Sequence, residues 1–195
     1  MKRIALFFLS LTVCCIAQAQ SYGPNITLEQ AKAVVVAAEA EAVRQNWNVA
    51  IAVVDTAGNL VAFVKRDDTQ TASVNVAQGK ARSAASYKRP TRAFQDTIAA
   101  GGVGLRALTL EGVVAAEGGV PLFVDGAIVG AIGVSGATSE QDGVVAAAGA
   151  AALLYRPAPK QGSGAGNLPR VTASLRGGSR RHPASPDASA HHLWS

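Results

Sequence analysis

Between residues 27 and 155 the hydrophobic pattern switches several times between the helical and the strand period, and each switch marks an element. The first segment, 27–47, is rich in Ala, Val and Glu and contains neither Gly nor Pro. Thr27-Leu-Glu-Gln30 opens it as a capping box, with Gln30 reaching back to the cap. Val49-Ala-Ile-Ala-Val-Val54 reads as a strand with two apolar faces, so it is expected to be covered on both sides. Asp55-Thr-Ala-Gly58-Asn59 turns the chain into a second arm, Leu60 to Arg66. Ser73 is the expected cap of a second helix reaching Tyr87. Thr91, just after Pro90, is the expected cap of a short third helix through Ala100. Gly101-Gly-Val-Gly104 reads as a flexible joint, and 105–116 as an ambiguous stretch with partial strand character. Val120 to Val124, Asp125-Gly126 and Ala127 to Val134 predict a second hairpin, because Asp-Gly is a preferred two-residue turn. Ser139 is the expected cap of a last helix to about Tyr155.

Helix, hairpin, helices, strands, helix is an order that favours an antiparallel sheet flanked by helices over alternating βαβ units. The expected fold is therefore α/β of the α+β kind. It is a single domain over 20–155 with a central antiparallel sheet of about five strands.

The two ends of the chain read differently. Lys2 and Arg3, the apolar run Ile4 to Val13 and Ala17-Gln-Ala19 make a signal peptide over 1–19, with cleavage expected after Ala19. Lipidation at Cys14 or Cys15 is the rival, but Val13 and Cys14 precede them where a small Gly or Ala is normal. A free periplasmic or secreted product, with no stable membrane insertion, is the expectation. Cleavage would remove both cysteines and the one methionine. From Arg156 onward Pro, Gly, Ser, Ala and Arg dominate, which predicts a disordered basic tail over 156–195.

Charge follows the same partition. The net +5 of the whole chain comes from the leader and the tail, while Pro24 to Tyr155 carries ten Lys/Arg against twelve Asp/Glu. A sequence pI near 9.6 is thus no sign of nucleic-acid binding by the domain.

Candidate chemistry is sparse. Gly133-Val-Ser135-Gly136-Ala137 nearly fits a nucleophile elbow, but a serine needs a base within reach, and all three histidines (His182, His191, His192) lie in the tail. Gly130, Gly133 and Gly136 read instead as a packing turn, with a helix-start anion site as the alternative. Lys80, Arg82, Lys88, Arg89 and Arg92 crowd thirteen residues. They could clamp carboxylates such as tetrapyrrole propionates, against the plainer reading of a solvated helix face. Metal ligands are few: Asp67-Asp68 lacks supporting spacing, and no metal site is assigned. Tyr87 is the plausible oxygen donor to a haem iron, with packing as its default role.

Taken together, these segments resemble the GlcG/HbpS-like haem-binding family, also called the haem-degrading domain family. Ala50-Ile-Ala-Val-Val-Asp55-Thr-Ala-Gly58-Asn59 carries the resemblance, with Lys80-Ala-Arg82 and Arg89-Pro90-Thr91. So do Gly118-Gly119-Val-Pro121, Asp125-Gly126, Val129 to Gly136, and Asp142, in family order over about 26–154. The resemblance implies a small α/β sandwich, commonly in higher oligomers. It also implies haem or tetrapyrrole binding, with links to iron and redox sensing in some members. Related domains are fused to corrinoid adenosyltransferases or encoded beside glycolate-utilisation enzymes. Some secreted members carry Glu-x-x-Glu linked with iron binding, where this chain has Asn75 and Gln78, and the domain has no histidine.

The preferred expectation is a haem- or tetrapyrrole-binding protein. Tyr87, Lys80, Arg82, Arg89, Ser135 and Gly136 are its candidate cofactor-binding residues, and no residue is assigned to catalysis. One alternative is an enzyme or binding protein acting on a small carboxylate at the Gly130–Ser139 turn. The other is a homo-oligomeric scaffold without ligand. A haem-degrading activity is what the resemblance alone would add.

Overall fold

The structure, a computed structural model, describes residues 20–154. Four strands form one antiparallel sheet in the order β2-β1-β4-β3: β1 is Ala50–Asp55, β2 Leu60–Lys65, β3 Gly119–Val124 and β4 Ala127–Ser135. Helices α1 (Leu28–Arg44) and α4 (Ser139–Leu154) cover one face, and α2 (Ser73–Tyr87) covers the other. A short α3 (Arg92–Ala99) and a 3-10 helix (Gly102–Thr109) follow α2.

The two faces are built from different side chains. Ile51 and Val53 of β1 and Ile132 and Val134 of β4 point into a Val/Ile core with α1 and α4. Ala50, Ala52 and Ala131 meet Ala77, Ala81, Ala84 and Ala85 of α2. Gly133 makes that second contact possible, since a Cβ there would run into the Ala77 carbonyl and the Ala81 amide. The central strand β1 is buried on both faces, as its doubly apolar pattern predicts.

Local signals explain several element ends. The Thr27–Gln30 capping box forms, with Gln30 N donating to Thr27 Oγ1 at 3.2 Å and Thr27 N to Gln30 Oε1 at 2.9 Å. Asp125 (φ 50°) and Gly126 (φ 79°) both take the left-handed region, as a primed hairpin turn requires. Residues ahead of α1 add a short parallel bridge, Tyr22 to Ile128, along β4 where β1 has ended.

Other expectations are corrected. The sheet has four strands rather than about five. The stretch 105–116 contributes none, because left-handed Gly101 and Gly102 turn it back on α3 as a 3-10 helix. Gly104 is no loose joint, since its Cα lies against the Thr97 carbonyl. Neither Ser73 nor Thr91 caps its helix: Ser73 lies within α2, and the Thr91 hydroxyl accepts the Gly119 amide at 2.9 Å. Thr138, not Ser139, closes the start of α4, in a reciprocal pair with Gln141. The 1–19 leader and the 156–195 tail lie outside the described residues.

Candidate functional site

Helix α2 carries three of the six candidate residues, and its geometry sorts them. Lys80 lies between Ala77, Ala81 and Ala84 on the buried row of the helix, so its stem runs under the sheet edge rather than into water. Its ammonium donates to Asp142 Oδ2 at 2.8 Å and to the Val134 carbonyl at 3.0 Å, with side chains only 2% and 3% exposed. Gly118 is packed against the same ammonium, and the Ala137 amide donates to the other Asp142 oxygen at 3.1 Å. Burial raises the Asp142 pKa above the ordinary carboxylate value, opposed by the bond and charge of Lys80. The pair ties α2 to the start of α4 across the end of β4. A solvated face does not describe Lys80, and its ammonium is committed to the interior.

Arg82 points the other way, toward the first hairpin. It is exposed, with Nε donating to the Gly58 carbonyl at 3.3 Å and a terminal nitrogen to Gln78 Oε1 at 3.2 Å. Gln78 also donates to the Val74 carbonyl. Ser135 is buried, its hydroxyl 3.4 Å from that of Ser73, and a Cβ on Gly136 would meet the backbone of Asn48 and Val49. Gly130 is equally hemmed in, by the Val54 carbonyl and Ile26. The amides at the start of α4 serve Asp142 and Gln141. The glycine cluster is therefore packed against neighbouring backbone, and Ser135 is not exposed.

Tyr87 and Arg89 do come together, at the carboxy-terminal end of α2. The left-handed Lys88 (φ 54°) ends the helix and throws Arg89 across Phe94, its guanidinium 5.6 Å from the ring centroid. Arg89 is exposed, and its Nε donates to the Tyr87 carbonyl at 3.2 Å, which anchors the head. Tyr87 packs edge-on against Phe94 at 5.3 Å, and its hydroxyl donates to the Glu111 carbonyl at 2.7 Å. Lys88 sits 4.2 Å over the Tyr22 ring and donates to the Gln20 carbonyl.

Beside this cluster the 3-10 helix packs on α3 and exposes a run of large apolar side chains. Val103 is 72% and Leu108 68% exposed, with Leu105 and Leu110 also open. Leu105 and Leu108 are three residues apart and so share one side of a 3-10 turn. Arg106 is exposed on the same segment. Such a concentration of exposed leucine and valine marks a contact surface rather than a scattered surface residue. Its apolar platform, with Arg106 on the same segment, can take a flat apolar molecule bearing carboxylates.

Reading the sequence alone overlooks this platform, because a Leu-rich run beside a glycine cluster resembles a buried strand. It also overlooks Phe94 and the Lys80–Asp142 partnership. The signal for the latter was present: a lysine surrounded by alanines at helical spacing lies on the packed side. Among the described residues no group of three His, Cys, Asp or Glu side chains could hold a metal ion, and no helix is long and apolar enough to cross a membrane.

This arrangement has relatives. Protein GlcG of Escherichia coli K12 is 40% identical over 110 residues, covering 56% of this chain and 81% of GlcG. HbpS of Streptomyces reticuli, solved as a double mutant, superposes with a TM-score of 0.62 at 30% identity, covering 78% of this chain and 97% of that one. PduOC in complex with haem gives a TM-score of 0.60 at 28% identity, over 66% and 94% of the two chains. Residues 26–151 match the model described as "Haem degrading protein HbpS-like", and the chain belongs to that family.

Proposed function

We propose that the protein binds haem or a related tetrapyrrole, on the surface formed by the end of α2, α3 and the 3-10 helix. The observation that carries this reading is the exposed apolar platform of the 3-10 helix, packed on α3 and tied to Tyr87 through the Glu111 carbonyl, in a chain of the HbpS-like family. PduOC, a relative in structure, is known in complex with haem. The ring would lie on Leu105 and Leu108, and its propionates would meet Arg89 and Arg106. A charge-assisted contact between guanidinium and carboxylate is the strongest polar bond this surface can offer.

Titrating the protein with haemin and following the Soret band tests the reading. A saturable shift, weakened in Leu105→Ser/Leu108→Ser, is expected. A shift that never saturates, or one indifferent to those substitutions, would remove the site.

We further propose that the protein acts in the periplasm or outside the cell, after removal of residues 1–19. The intact mass of the exported protein checks this. A part in iron or redox handling would fall to the bound tetrapyrrole, since Asn75 and Gln78 offer only neutral amides. Self-association is proposed from the family, and sedimentation velocity tests it.

A further inference from the structure

Resting on the haem reading, we infer that the site recognises the ring and propionates of a tetrapyrrole and is indifferent to the metal at its centre. Residues 20–154 contain no histidine, cysteine or methionine. Their two tyrosines both donate their hydroxyl protons to backbone carbonyls, Tyr22 to Ala85 at 2.7 Å and Tyr87 to Glu111 at 2.7 Å. A phenol that bonds a carbonyl must keep its proton, whereas iron takes the phenolate. Ligation by Tyr87 would therefore break the bond that fastens the segment after the 3-10 helix to α2.

The nearby amines are no better placed as ligands. Lys80 is buried against Asp142, and Lys88 is held between the Gln20 carbonyl and the Tyr22 ring. By contrast, the groups that suit the periphery of the ring are at hand. The leucines of the 3-10 helix are exposed, and so is Arg89, held through Nε by its own backbone contact. Neither Arg89 nor Arg106 has a carboxylate partner among the described residues. Exposed arginines and an apolar platform select a flat dicarboxylate by charge and shape, and neither feature senses a metal.

The test compares haemin with metal-free protoporphyrin IX on the full chain, by absorbance for the first and fluorescence for the second. The two dissociation constants are expected to agree within about threefold, a difference under 1 kcal/mol. Arg89→Ala should weaken both by about tenfold, the loss of one charge-assisted contact. Tyr87→Phe removes the Glu111 contact but no iron ligand, so it should change both constants by the same factor. Saturable haemin binding with protoporphyrin weaker by more than about tenfold would overturn the inference while leaving the haem reading intact. The same preference abolished by replacing His182, His191 and His192 with alanine would overturn it too, and would put the iron ligand in the carboxy-terminal segment. Failure of both compounds to bind would remove the haem reading itself, and the inference with it.

Discussion

Lys80 and Arg89 stand nine residues apart in one cationic stretch, yet the fold uses them in opposite ways. Lys80 is inside the molecule, its charge neutralised by Asp142 and its third neighbour the backbone of Gly118. Arg89 lies beyond the helix end, on an aromatic ring, and only its Nε is engaged, by the Tyr87 carbonyl. The difference comes from what flanks them. Lysine among alanines on the packed row of α2 is drawn under the sheet, while a left-handed Lys88 releases the chain before Arg89 can follow the same row. A cation cluster in sequence is thus two separate devices, one holding the layers together and one left for recognition.

Breaking the first device should have the larger effect. Lys80→Met leaves Asp142 as a lone buried carboxylate, and a loss of about 3–5 kcal/mol in urea unfolding at neutral pH is expected. The loss should shrink on acidification. Without Lys80 the Asp142 pKa rises further above its unfolded value, so stability is fullest below about pH 4 and falls as pH increases through the folded pKa. A loss independent of pH would show that Asp142 is not the group left behind. Adding Asp142→Leu to Lys80→Met should restore part of the stability, as removal of both charges usually does.

The close approach that surrounds the pair is the next test. Gly133→Ala should cost about 1–3 kcal/mol by overpacking α2 on β4, read as a drop in melting temperature. Smaller still, Ser135→Ala should change stability by no more than about 1 kcal/mol, since it removes a single long hydroxyl contact. It should also leave any haemin titration untouched. On the recognition side, Arg89→Ala should leave stability within about 0.5 kcal/mol, as an exposed side chain does, and act on binding alone. A matched loss of fold and ligand in Arg89→Ala would erase the contrast with Lys80.

How far the sequence carries depends on the distance over which each signal acts. The Thr27 box, the Asp125-Gly126 turn and the doubly apolar β1 are decided by residues within a few positions, and they form as the pattern predicts. Thr91 and Ser73 carry the right cap chemistry but spend it on Gly119 and Ser135, partners that only the tertiary fold supplies. The same limit applies to Lys80, whose partner is 62 residues away. The leucines at 105, 108 and 110 mislead in the other direction. Their composition suits a buried strand, and only the turn of the chain at Gly101 and Gly102 keeps them at the surface. Of the six candidate binding residues, Tyr87 and Arg89 meet at one place, and the other four are dispersed through α2 and the end of β4.

The buried pair also constrains how such a chain can change over generations. Positions 80 and 142 belong to different helices on opposite sides of the sheet, so no local event alters both at once. A lineage that replaces either one alone must survive an intermediate with an unpaired charge in its interior, and a margin of only a few kcal/mol makes that passage narrow. Lys80 and Asp142 are therefore expected to be inherited or exchanged together, while Arg89 and the open leucines drift with whatever they bind.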